Sequence, residues 1–245
     1  MAWTNGSLTN SYNIDPSSPG NDITITISGN TAQLVTDPFA TGTPQTPAIT
    51  SAFQGGLGSV PKTLDLAVNF TDPSQGLTVT VTFSAAYAAG VKNVSFSIFD
   101  VDFNNDPANA STFQDEIRSI TATTIANTTA AATVTGSTDN IVTGSGTPLA
   151  KADGTALSPD TGAGSGAGNT TIDFGTNAIK SFTFAYGSGA SIPGLTNPTF
   201  EHIGIYNIGF TPVPEINPAL ASGFSCAAAI LLVLCHGARV RNKRL

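Results

Sequence analysis

The sequence predicts an all-β domain, an antiparallel β-sandwich of the jelly-roll kind, followed by one C-terminal transmembrane α-helix. About ten short segments alternate apolar with polar residues, which is the period of a strand with one buried face. Turn-forming residues separate these segments, and no sustained helical period occurs before Ala219. The apolar run 219–238 then has the length, about 30 Å as a helix, that crosses a bilayer.

The domain is expected to extend over residues 23–210, after an irregular N-terminal segment 1–22 that is polar and rich in turn formers. Residues 23–28 alternate strictly and predict a first hairpin with 31–35. A clearer hairpin is predicted from 64–70 and 77–83, each with an apolar face and a Thr-rich wet face. Further strands are predicted at 49–53, 94–100, 117–125, 131–135, 141–142, 172–174, 182–186 and 203–210, whereas 144–168 indicates a long loop or two short strands.

Charge and cysteine content exclude several functional classes. Residues 1–218 hold all 16 acidic residues and five of the nine basic ones, a net charge of −11. Such a domain repels a phosphate backbone, so nucleic acid is not expected as a partner. Both cysteines, Cys226 and Cys235, lie in the apolar run, which leaves the domain without a disulfide or a thiolate metal site.

The clearest candidate site follows the strand predicted at 94–100. Asp100, Asp102, Asn104 and Asp106 place oxygen donors at alternate positions, and Asp115 follows on the far side of the loop. Calcium prefers six to eight oxygen ligands, so these residues predict a Ca²⁺ site at a strand edge, closed by Asp115 or its neighbour Glu116. The glycine of an EF-hand loop is missing at position 105. A solvated acidic turn that caps backbone groups is the alternative.

No catalytic residue is predicted. His202 is the only histidine outside the apolar run, and Glu201-His202 is interpreted as an exposed pair at a strand start. A secreted glycoside hydrolase would need two carboxylates facing across a cleft, and this remains a minor alternative. A carbohydrate-binding module for extracellular polysaccharide is the stronger alternative, with Tyr87, Tyr186 and Tyr206 as candidate sugar platforms.

The C-terminal segment 211–245 has three parts. Val213, Pro214 and Glu215 begin a proline-rich motif at 213–218, the apolar run 219–238 follows, and a basic tail 239–245 closes the chain. The basic residues of this tail are Arg239, Arg241, Lys243 and Arg244. Because basic residues stay on the cytoplasmic side, residues 1–218 are expected outside the cytoplasm. A buried C-terminal helix is the alternative to a membrane span.

This combination of Val-Pro-Glu, single helix and basic cluster resembles the PEP-CTERM sorting signal of Gram-negative bacteria, although Ile216 replaces the second proline of the common motif. The resemblance covers about 35 residues and implies export, cleavage by an exosortase and delivery to the cell surface or extracellular matrix. An uncleaved single-pass anchor is the alternative. Met1–Gly6 has neither the basic start nor the apolar core of a signal peptide, so a truncated N-terminus is expected. The sequence therefore predicts a non-enzymatic, exported surface or matrix protein.

Overall fold

A computed structural model describes residues 2–15, 20–58, 61–106, 111–155, 165–189, 198 and 200–214, without the side chains of 105, 106 and 111. Fifteen strands in these ranges pair in antiparallel fashion, and the helical content is limited to two single 3-10 turns, Thr31–Gln33 and Ala85–Tyr87. The all-β, antiparallel prediction is confirmed. The strands are β1 Thr9–Tyr12, β2 Ile23–Gly29, β3 Ala48–Thr50, β4 Thr63–Asn69, β5 Gly76–Phe83, β6 Val91–Phe99, β7 Phe103–Asp106, β8 Ser111–Thr124, β9 Thr129–Ala131, β10 Thr133–Gly136, β11 Asn140–Thr143, β12 Lys151–Gly154, β13 Thr170–Asp173, β14 Ile179–Ser188 and β15 Phe200–Pro212.

The sheet curls over itself, so that two groups of strands share one core. The first group runs β1-β2-β5-β14-β8-β12-β11, with β7 and β9 paired to other parts of β8. The second group runs β3-β4-β15-β6-β13-β10. A single pair, Ile179 with Val91, joins β14 to β6 and makes the hydrogen-bonded sheet continuous.

Alternating apolar side chains from both groups fill this shared core. Phe96 of β6 stacks on Phe182 of β14, with ring centroids 5.0 Å apart. Phe70, directly after β4, packs against Tyr186 of β14 at 6.2 Å. Since Phe70 and Tyr186 are completely buried, these contacts between the groups replace water with dense aromatic packing. The period-two pattern of the sequence thus identifies the core correctly.

Three local predictions are wrong. The predicted hairpin partner of β2 forms the 3-10 turn Thr31–Gln33, and β2 pairs with β1 and β5. The segment 1–22, expected to be irregular, therefore supplies β1, and it also buries Trp3. The hairpin expected from β4 and β5 does not form, because β4 pairs with β3 and β15 whereas β5 pairs with β2 and β14. The turn residues between β4 and β5 are therefore compatible with a connection that crosses from one group of strands to the other, and they do not by themselves indicate a hairpin.

The compact unit formed by this sheet ends at Val213. Within the described ranges no helix is long and apolar enough to span a membrane. The predicted membrane helix 219–238 and basic tail 239–245 lie outside the described residues, as does Glu215 of the motif.

Candidate metal centre

Two strands, β8 and β15, and the connection between β6 and β7 place buried carboxylates near one another between the two groups of strands. Asp115 near the start of β8 pairs in register with Ser188 at the end of β14, so their side chains share one face of the sheet. Tyr186, two residues earlier on β14, shares that face as well. The Tyr186 hydroxyl donates a hydrogen bond of 2.9 Å to Asp115 Oδ1, and both side chains are completely buried.

Asp102 reaches the same place from the connection between β6 and β7. Asp100 precedes it with a φ of 66°, a left-handed conformation that turns the chain at the end of β6. The Asp102 N–H then donates to Asp115 Oδ2 at 3.2 Å, and the Asp115 N–H donates to the Asp102 carbonyl at 2.9 Å. These reciprocal bonds fix the two residues against each other.

Glu201 completes the group from the opposite side of the core. It lies on β15 with the same orientation as the core residues Ile203 and Ile205, and it is completely buried. The Ser188 hydroxyl donates to Glu201 Oε1. Glu201 Oε2 is buried and has no hydrogen-bond partner in the described part of the chain. Leaving a buried carboxylate oxygen without a partner is costly, so this atom indicates a missing ligand or proton.

The electrostatics of the group favour a positive charge at this point. Burial, followed by the charges of Asp102 and Glu201, raises the pKa of Asp115 well above its usual range. Burial also raises the pKa of Glu201 to about 8 and that of Tyr186 well above 10. The hydrogen bond from Ser188 and the charge of Arg118 lower the pKa of Glu201 but do not offset burial, and the Arg118 guanidinium pairs with Glu116. A bound cation would keep all three carboxylates ionised.

The structure brings together part of the predicted calcium set. Asp102 and Asp115 are in contact, and the charge of Asp100 reaches Asp115. Asn104 is half-buried on β7 and pairs in register with Phe113, whereas the side chain of Asp106 lies outside the described set. Glu116 is not a partner of Asp115: it bonds Arg118 and Lys151.

The predicted calcium set did not include Glu201, Tyr186 or Ser188, which come from strands far away in the chain; the sequence suggested Glu201 only as one carboxylate of a hydrolase cleft and Tyr186 only as a sugar platform. Only the chain topology places them beside Asp115. Together with Asp102, these residues form an oxygen-rich, completely internal group. Carboxylate and hydroxyl oxygens are the donors that Ca²⁺ prefers, so the group is chemically suited to that ion.

The interpretation of Glu201-His202 as an exposed pair is wrong. Both residues are buried, because β15 runs between β4 and β6 and is covered on both faces. Alternation along β15 directs Glu201 into the core and His202 to the opposite face, beside Asp37. Tyr186 is also buried, so it cannot serve as a sugar platform.

Comparison with known proteins gives no relative for this chain. No protein-family model matches it, and neither curated proteins nor solved structures give a significant match. The argument for function therefore rests on the residues described above.

Proposed function

We propose that this chain is an exported, non-enzymatic protein of a bacterial cell surface or extracellular matrix, and that its domain holds a structural Ca²⁺ ion. The curled sheet would then be a β-sandwich of the jelly-roll kind. An acidic, Thr-rich β domain suits such a location, where calcium is abundant. The C-terminal segment 211–245 would deliver the domain.

The observation that carries the calcium proposal is the burial of Asp102, Asp115 and Glu201 near enough for their charges to act on one another, although their oxygens do not all lie within 4.8 Å as those of Asp37 and Asp65 do with His202. Burial and the negative charges nearby raise the pKa values of Asp115 and Glu201, and the charge of Asp102 contributes to both shifts. Burying like charges together is strongly unfavourable unless a cation or protons compensate. At the neutral pH of most extracellular environments, Ca²⁺ compensates without requiring protonation. The ion would link β8 of the first group of strands with β15 of the second group.

A thermal melt with and without a calcium chelator tests this part of the proposal. Calcium is expected to raise the melting temperature of the wild-type chain, since a ligand that binds only the folded state stabilises it. Asp115→Asn should lose this calcium response. Asp72→Asn, at a fully exposed carboxylate, is the matched control and should keep it. An equal melting temperature in chelator and in calcium would refute the calcium site.

Delivery by the C-terminal segment is a separate part of the proposal, supported by its sequence alone. The proposed signal combines Val213, Pro214 and Glu215 with the apolar run and the basic tail. Mass spectrometry of the mature protein from its host would give its C-terminus. Cleavage near the motif is expected. Intact protein ending at Leu245 in the envelope would instead support an uncleaved membrane anchor.

A surface cleft favours carbohydrate binding as a second candidate function. Its volume is about 310 Å³, and its walls combine six aliphatic side chains with Trp3, Tyr12, Tyr206, Lys62 and Asn207. Aromatic faces beside polar groups are typical of sugar sites. Binding of matrix polysaccharide that is lost in Tyr206→Ala and kept in Tyr87→Ala would support this function. Equal binding by both variants would contradict it.

A further inference from the structure

A second polar cluster lies on the outer face of β4 and β15, opposite the acidic group. In the register of these strands, His202 pairs with Ala67 and Gly204 pairs with Asp65, so His202 and Asp65 share one face. The segment between β2 and β4 covers this face and brings Asp37 to it. Asp37, Asp65 and His202 are all buried.

The three side chains point toward one another. One potential ligand atom from each residue can be chosen so that all three atoms lie within 4.8 Å of one another, and His202 Nε2 is 3.5 Å from Asp37 Oδ2. Within the described residues, neither ring nitrogen of His202 has a hydrogen-bond partner, and Asp37 Oδ2 has none. Three unpartnered polar atoms in so small a buried volume are expensive unless something binds them.

Other groups orient both carboxylates. Asp37 Oδ1 accepts hydrogen bonds from the N–H groups of Phe39 at 2.8 Å and Ala40 at 3.1 Å, which leaves Oδ2 facing His202. The two oxygens of Asp65 accept hydrogen bonds from the hydroxyls of Thr50 and Thr63. Metal-ligating carboxylates typically have such supporting donors, which fix their direction.

Aromatic rings hold the imidazole of His202 in place. Phe39 stacks on it at 5.7 Å, and Phe53 contacts it edge-on at 4.2 Å, with Phe200 at 5.7 Å. The absence of a side chain at Gly204 makes room for Phe53, since a Cβ there would lie only 2.7 Å from Phe53 Cδ2. This packing buries the imidazole, and its Nε2 faces Asp37 Oδ2.

We propose that Asp37, Asp65 and His202 bind a divalent first-row transition-metal ion, with Zn²⁺ as the best-fitting member of the class. An imidazole nitrogen with two carboxylates is a donor set for such ions, whereas Ca²⁺ and Mg²⁺ prefer oxygen alone. A 2+ ion neutralises two buried carboxylates. Three protein ligands leave a position for water or an added ligand. This site is independent of the proposed calcium site, because His202 and Glu201 lie on opposite faces of β15.

The protonation state of the cluster agrees with this proposal. Burial lowers the pKa of His202 to about 3, so its ring is neutral and has a free lone pair at physiological pH. Burial raises the pKa of Asp65 to about 7, with a contribution from the charge of Asp37, and burial also raises the pKa of Asp37, so a metal ion competes with protons on these carboxylates.

The ion would have a short route to this site. A surface cleft of about 280 Å³ is lined by Phe39, Ala40 and Thr50, which also contact His202, Asp37 and Asp65. Phe39, which stacks on His202, is 55% exposed, so one side of the cluster is covered by a ring that solvent reaches. Such an entry path is one of the requirements for a working metal site.

The histidine content of the chain makes a direct test practical. The full-length chain in detergent, stripped with chelator and labelled with ¹⁵N-histidine, has only two imidazoles, those of His202 and His236. One equivalent of Zn²⁺ is expected to shift a ring nitrogen of His202 to a metal-bound position. The shift should persist in His236→Gln, which assigns the signal. The measurement uses folded wild-type protein and does not depend on a variant that fails to fold.

Affinity measurements then test the carboxylates. Asp37→Asn should weaken Zn²⁺ binding at least about tenfold, as the loss of a ligand typically does. Asp72→Asn should bind like the wild type. The proposal is overturned if Zn²⁺ leaves the His202 ring nitrogens unchanged, if Asp37→Asn and Asp72→Asn bind equally, or if Ca²⁺ causes the same ring shift. In each of those cases the cluster is a structural polar contact or a different ion site.

Discussion

Replacing Tyr186 with phenylalanine tests the internal hydrogen bond that orients Asp115. The Tyr186 hydroxyl donates to Asp115 Oδ1 at 2.9 Å in a completely buried position, and the ring also packs against Phe70. Tyr186→Phe keeps the ring and deletes the donor alone. A buried acceptor that loses its donor costs about 1–3 kcal/mol of unfolding free energy. At about 2–4 °C per kcal/mol for a domain of this size, the melting temperature should fall by about 2–12 °C.

Tyr206→Phe is the matched control for this substitution. Tyr206 is half-buried and stacks on Phe99 at 5.0 Å, so loss of its hydroxyl should change the melting temperature by less than about 1 °C. Differential scanning calorimetry in chelator and in calcium would measure both variants. Equal melting temperatures for Tyr186→Phe and the wild type, with the fold intact by circular dichroism, would refute the described network around Asp115.

Four further predictions concern the two clusters and the surface. Glu201→Gln should leave stability at pH 7 nearly unchanged in chelator and abolish the calcium response, because the pKa of about 8 means that Glu201 is mostly protonated without an ion. The same raised pKa predicts that the wild-type free energy of unfolding in chelator falls as the pH rises from about 4.5 to 8, because the folded state keeps a proton on Glu201 that the unfolded state has lost. Urea titrations at a series of pH values measure this, and a flat series would contradict the prediction. Gly204→Ala should displace Phe53 and lower the free energy of unfolding by about 1–3 kcal/mol in urea denaturation. Lys151→Met breaks partly exposed ion pairs with Glu116 and Asp153, so it should lower the free energy of unfolding by less than about 1 kcal/mol.

The sequence predicts the strands well and their partners poorly. Period-two alternation located β4, β5, β6 and β14 because it reports which side chains face a core. It does not report which strand lies alongside, since β4 and β5 show the same alternation in a hairpin and in two separate strand groups. The Thr-rich face of β4 was expected to be exposed to solvent, because alternation alone does not show that another segment covers it. Thr63 and Asp65 are instead buried under the segment that precedes β4.

The sequence likewise identifies site residues that lie close together in the chain and does not identify those that only the fold brings together. Asp102 and Asp115 were identified because they flank one short loop, where local spacing alone predicts convergence. Glu201 is separated from Asp115 by 85 intervening residues, and no local pattern marks it. Asp65 offered one usable signal, an acidic residue within an otherwise apolar strand, although Asp37 in a loop offered none.

Terbium luminescence tests the central claim, a cation held beside Asp102, Asp115 and Glu201, most directly. Tb³⁺ occupies oxygen-ligated calcium sites and emits when a nearby tyrosine absorbs light, and Tyr186 is hydrogen-bonded to Asp115. The account predicts emission that saturates at one ion per chain, is displaced by Ca²⁺ and is lost in Tyr186→Phe, while Trp3→Phe retains it. Absence of emission from the folded wild-type chain, or equal emission from Tyr186→Phe, would contradict the account.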